Sequence, residues 1–90
     1  MREVPFFVPD EMASYGPELV HEWHVATGSE FAEGIPLVTI ETEVARIEVM
    51  SRFPGRLKEI HAGVGYPATP GTQLATLEVT DWVYDNQIGE

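Results

Sequence analysis

Glu41, Glu43 and Glu48 come nearest, in this 90-residue chain, to the paired carboxylates that general acid–base chemistry uses. They flank one short segment, Glu41-Thr42-Glu43-Val44-Ala45, with no evident cleft to raise a carboxyl pKa. A solvated acidic rim is the expectation. His21, His24 and His61 offer the commonest metal-ligating side chain. No local spacing resembles a zinc motif, however, and His21 and His24 have opposite parity along a regular strand. His24 and His61 hold matching places in an internal repeat and could approach one another; hydrogen-bonding imidazoles are the expected outcome. Ser14, Ser29 and Ser51 each stand apart from any histidine–carboxylate pair with a recognisable nucleophile context. With no cysteine there is no thiolate nucleophile, thiolate metal site or disulfide. Lys58 is the single lysine. These residues predict no catalytic constellation and no metal site.

The elements that position them follow from apolar alternation. Leu37-Val38-Thr39-Ile40 and Ala45-Arg46-Ile47-Glu48-Val49 alternate with period two. Folding back at Glu43-Val44 sets Thr42 opposite Ala45, Ile40 opposite Ile47 and Val38 opposite Val49. The apolar side chains of both strands then share one face of a half-buried hairpin. Glu43 and Val44 are left at an exposed tip, where a β-branched valine occupies a place that Gly, Asn or Asp usually fill. Folding does not ask for that valine.

The chain repeats itself weakly at an offset of about 37 residues, aligning residues 20–28 with 57–65 and Gly34, Leu37, Ile40 and Glu41 with Gly71, Leu74, Leu77 and Glu78. Each half reads strand, glycine turn, short segment, glycine turn, strand. Gly28, Gly34, Gly65 and Gly71 are the expected sites of positive φ. Two such units bury their apolar faces only against each other. The predicted fold is therefore all-β, a flattened barrel or sandwich of two small antiparallel sheets related by a pseudo-twofold axis. Apolar spacing changes phase from Val20 to Trp23 and from Leu57 to Ile60, which predicts a bulge or a strand crossing in each half. Seven prolines exclude long helices, leaving one candidate turn near 10–14 that Asp10 would cap. The expected core is Val8, Val20, Val25, Phe31, Leu37, Ile40, Ile47, Val49, Leu57, Ile60, Leu74 and Leu77.

Composition bounds the function. A chain of 90 residues with 43% hydrophobic content is one small globular domain. Its net charge of −10, from 15 acidic and 5 basic residues, repels phosphate backbones and anionic lipid. Nucleic-acid and membrane-surface roles are excluded on that ground, and a basic protein partner is favoured. No apolar run reaches the roughly 20 residues a membrane span needs. The N-terminus lacks a signal-peptide apolar region, so a cytoplasmic location is expected.

From about Val4 to Val79 the chain resembles the lipoyl domain of the 2-oxo acid dehydrogenase complexes. The resemblance is carried by Glu22-Trp23-His24-Val25, Gly28, Glu33-Gly34, Pro36-Leu37-Val38, Ile40-Glu41-Thr42, Glu48-Val49, Ser51, Gly55, Lys58-Glu59-Ile60, Gly65, Gly71 and Leu74-Ala75 at family spacing. It implies the biotinyl/lipoyl barrel-sandwich fold over residues 1–80, with 81–90 as a C-terminal tail. That family carries Glu-Thr-Asp-Lys-Ala at the hairpin tip, and its lysine accepts lipoic acid. Biotinyl domains place Met-Lys-Met there. In this chain the acceptor position is Val44, which offers no amine, so no bound cofactor is expected.

Three readings of Val44 stand open: a natural loss, a free-standing relative that uses the scaffold to dock partners, and an engineered removal. Lys58 alone could replace the acceptor, but its repeat counterpart is His21, mid-strand, where lysine is an ordinary surface residue in the family. The resemblance further implies that Glu41 and Glu43 help partner enzymes recognise the tip, and that the loop 10–17 lies beside it. Met12, Tyr15 and Val44 would then form a small apolar patch ringed by acids. Trp82 and Tyr84 either extend that patch, fill a separate groove or fold over the barrel end. No long Ala/Pro-rich linker follows, so no catalytic domain is expected within these residues. The implied function is non-enzymatic: docking to a thiamine-dependent decarboxylase or acyltransferase component. The alternative is a genuine lipoyl carrier whose lysine has been replaced at Val44.

Overall fold

A computed structural model of the protein describes residues 1–9 and 18–88. The turn expected near 10–14 lies outside the described residues. Among the described residues seven strands follow in order: β1 (Arg2–Phe7), β2 (Leu19–Trp23), β3 (Glu30–Phe31), β4 (Pro36–Glu41), β5 (Arg46–Met50), β6 (Gly55–Ile60) and β7 (Gln73–Val79). One α-helical turn, α1 (Asp81–Val83), runs into a wider π turn (Tyr84–Ile88). The strands form two antiparallel sheets, ordered β1-β7-β6-β3 and β2-β4-β5, as the internal repeat predicted.

The internal repeat is written into the backbone. Gly28 and Gly65 have φ of +91° and +89°, and Gly34 and Gly71 of +86° and +85°. Gly28 N donates to Leu57 O at 2.7 Å, and Gly65 N to Val20 O at 2.8 Å. Strand pairing skips His21 between Val20 and Glu22, and skips Lys58 between Leu57 and Glu59, which are the two predicted bulges. A second matched pair of irregularities skips Leu37 in β4 and Leu74 in β7. The halves differ at one sheet edge. β3 pairs with β6 at two positions, whereas its counterpart is the single bridge Leu19–Pro67, since proline has no N–H to extend a ladder.

The bulged leucines interlock the halves. Leu37 of the first half packs with Val4, Leu57, Leu77 and Val79, while Leu74 of the second packs with Val20, Val38, Ile40 and Val49. Two expectations need correction. Ile47 and Ile60 are only partly buried, because β5 is an edge strand paired on one side and Ile60 ends β6. And β4 is not half-buried: Leu37, Val38, Thr39 and Ile40 are all buried in succession. The bulge turns Leu37 into one cluster and Val38 into the other, and His24 covers Thr39 through a 2.6 Å hydrogen bond. Val4, Val38, Ala62, Ala68, Ala75, Val79 and Val83 also belong to the core.

Residues 81–88 pack onto the sandwich. Thr80 Oγ1 accepts a hydrogen bond from Val83 N at 3.2 Å, and Val83 joins the cluster of Val4 and Leu77. Among the described residues, no helix is long and apolar enough to cross a membrane.

Candidate functional site

The β4–β5 hairpin is built in the register the sequence predicts: Val38 opposite Val49, Ile40 opposite Ile47 and Glu41 opposite Arg46. Thr42 N donates to Ala45 O at 2.8 Å and closes the turn. Neither Glu43 nor Val44 takes a positive φ, so the β-branched valine sits there without backbone strain. Thr42 supplies what a glycine otherwise would. Its Oγ1 accepts from Val44 N at 3.2 Å and from Ala45 N at 2.9 Å, and its hydroxyl donates to Ala45 O at 2.8 Å. The side chain of Val44 stands 75% exposed at the tip.

Charge is arranged around that stub. Glu41 Oε2 lies 3.6 Å from Arg46 Nε, and its Oε1 lies 3.9 Å from His21 Nδ1. Glu43 is exposed. The tip therefore gathers Glu41, Glu43, Val44, Arg46 and His21. Met12 and Tyr15 lie outside the described residues. The sequence offered His21 only as a candidate metal ligand, and the Thr42 clamp went unnoticed. The phase change from Val20 to Trp23 is the signal that would have placed the imidazole beside Glu41, and threonine at a turn's first position is the signal for the clamp.

The remaining candidates are held elsewhere. Lys58 sits on β6 and forms an ion pair with Glu3, whose hydrogen bond and charge raise the lysine pKa above its ordinary value. His24 and His61 do not converge: each shares a hydrogen bond with a threonine of its own half, Thr39 at 2.6 Å and Thr76 at 2.8 Å. Among the described residues, no three His, Asp or Glu side chains are grouped to hold a metal ion. The Ser51 hydroxyl donates to Phe53 O, within one local turn. An apolar groove runs between β1 and β5, beside Phe7, Met50 and Phe53, with Glu48 and Arg52 as its charged groups. It contains no tip residue. Trp82 is 65% exposed, while Tyr84 lies under the Arg2 guanidinium, 4.4 Å from its ring centre.

Among the described residues, Glu18 is the one buried carboxylate. It precedes β2 and is 4% exposed, and neither of its oxygens has a hydrogen-bond partner among the described residues. Desolvation pushes its pKa above the ordinary value.

What this arrangement offers chemically is presentation. A two-residue tip, its backbone held by Thr42, projects the side chains of Glu43 and Val44 into solvent, with the one nearby histidine–carboxylate pair, His21 and Glu41, on open strands. Comparison with known proteins agrees with such a scaffold. The biotin/lipoyl family profile, described as biotin-requiring enzyme, matches residues 5–77. The chain is also 32% identical over 77 residues to the dihydrolipoyllysine-residue succinyltransferase component of the 2-oxoglutarate dehydrogenase complex of Buchnera aphidicola subsp. Baizongia pistaciae. That match covers 86% of this chain and 19% of the relative, so the chain spans about a fifth of the relative's length. Sequence, sheet topology and these similarities meet in one assignment: the chain belongs to the biotinyl/lipoyl domain family.

Proposed function

We propose that this chain is a non-enzymatic lipoyl-like docking module of the cytoplasm, with Val44 standing where relatives present the lipoylated lysine. Its partner is a thiamine-dependent decarboxylase or acyltransferase-type component of a 2-oxo acid dehydrogenase system. It docks through Glu41, Glu43 and Val44, with Met12 and Tyr15 contributing from the loop 10–17. The observation that carries this reading is the chemistry of the tip. Amide linkage of lipoate or biotin needs a primary amine held out to a ligase, and Val44, three-quarters exposed, is a hydrocarbon. Lys58 does not fit the task, because it lies on a strand and is engaged by Glu3. The group therefore has no fitting anchor at the tip, and no carrier step is assigned to it.

The alternative, a carrier whose lysine was replaced, is favoured by one feature. The Thr42 clamp fixes the backbone of the tip without reference to the side chain at 44. One experiment separates the readings. Incubated with lipoate, ATP and a lipoate–protein ligase, the chain is expected to gain no mass and still to co-elute with the decarboxylase component. Mass gain on Lys58 would sink the docking reading. Val44→Lys is expected to gain one lipoyl group; full activity of that variant in reductive acylation would favour the carrier alternative.

A further inference from the structure

The internal repeat supplies a control for what this fold itself requires. Glu41 and Glu78 are equivalent carboxylates on β4 and β7. Opposite Glu78, Arg56 of β6 grips Oε1 through Nη2 at 2.8 Å and Nε at 3.1 Å. On the β2 side the residue opposite Glu41 is Leu19, 45% exposed, and the arginine that faces Glu41 is Arg46 from β5. Glu41 is left to looser contacts, and its side chain is 44% exposed against 18% for Glu78.

The turns that follow β2 and β6 repeat the contrast. Both contain a positive-φ glycine, and the bond from Ser29 N to Ala26 O matches that from Tyr66 N to Gly63 O, each 3.0 Å. Where the first turn carries Thr27 and Ser29, the second carries Val64 and Tyr66, 72% and 51% exposed. The backbone brings these residues to one edge: Leu19 bridges to Pro67, and Val20 N donates to Tyr66 O at 2.9 Å. One edge of the sandwich thus gathers apolar residues where the equivalent edge of the other half, which adds the short strand β3, uses arginine, threonine and serine.

We infer that Leu19, Val64 and Tyr66, flanked by Glu41, form a docking surface for a protein face with an apolar slot and a basic rim. The inference rests on the docking reading and extends it from the hairpin tip along β2. Charge selects the partner: a second copy of this chain brings another net charge of −10 and is repelled, whereas a basic face is attracted.

The test transplants the polar set of one half onto the other. Purified decarboxylase component of a 2-oxoglutarate dehydrogenase complex is titrated against the full chain and against Leu19→Arg/Val64→Thr/Tyr66→Ser. The variant is expected to lose at least about ten-fold in affinity. Its melting temperature is expected to hold or rise, since Leu19→Arg recreates the Arg56–Glu78 type of pair opposite Glu41. Leu19→Arg alone, the least disruptive change, should already weaken binding. Unchanged affinity in the triple variant, while a Val44/Glu43 double variant loses it, overturns the edge surface and spares the docking reading. No binding by the unmodified chain overturns both. Dimerisation of the unmodified chain that the triple variant abolishes overturns the basic partner in favour of a second copy.

Discussion

Thr42 carries the tip. Sequence alternation located the hairpin and its register, because period two leaves few ways to keep Val38, Ile40, Ile47 and Val49 on one side. The turn's internal chemistry was less legible. A valine at position 44 looked misplaced only under the assumption of a left-handed turn, and the two central residues in fact keep negative φ. Three hydrogen bonds from one threonine side chain replace the glycine solution. Thr42→Val is therefore expected to lower stability by about 1–2 kcal/mol in urea denaturation, through loss of the clamp and exposure of two amides. In a Val44→Lys background it should also slow lipoylation, because the presented side chain is no longer fixed. A ligation rate untouched by Thr42→Val would show that the clamp is not what presents residue 44.

Bulges decide what the strands bury. The phase changes after Val20 and Leu57 announced two of them, since an apolar spacing of three breaks period two within a strand. Those at Leu37 and Leu74 left no such trace. Leu37 falls within a run of Pro, Val, Thr and Ile, and Leu74 is followed by Ala75, Thr76 and Leu77; in such runs a skipped residue alters little of the pattern. Hence β4 was expected to be half-buried; Ile47 and Ile60, expected to be fully inside, are left partly buried by the edge position of β5 and the end of β6. Leu37 and Leu74 are each 0–1% exposed and cross into the other half's cluster. Leu37→Ala is expected to cost about 2–5 kcal/mol. Because the site belongs to the second half's cluster, far-UV and near-UV unfolding curves should shift together. A curve in which only β4–β5 signals shift would contradict the interlocking.

At the scale of the whole molecule, the buried acid Glu18 is set against a chain of net charge −10. Glu18 has its pKa raised by desolvation from the ordinary 4.5, so the folded state holds a proton more tightly than the unfolded chain. Its contribution to stability is fullest below pH 4.5 and is lost as pH rises through the folded-state value. Glu18→Gln is expected to raise the melting temperature at pH 7 by roughly 4 °C and to change it little at pH 4. Equal shifts at both pH values would show that ionisation is not the cause.

By itself the sequence determined the family, the two-sheet architecture, the hairpin register and the four positive-φ glycines. Each depends on residue type at fixed local spacing, which the chain states directly. Only the tertiary structure decided that His21 meets Glu41, that Leu37 and Leu74 exchange cores, and that Leu19, Val64 and Tyr66 share an edge. Those relations join residues far apart in the chain, and only the bulged pairing of β2 with β4 and the packing of one half against the other bring them together.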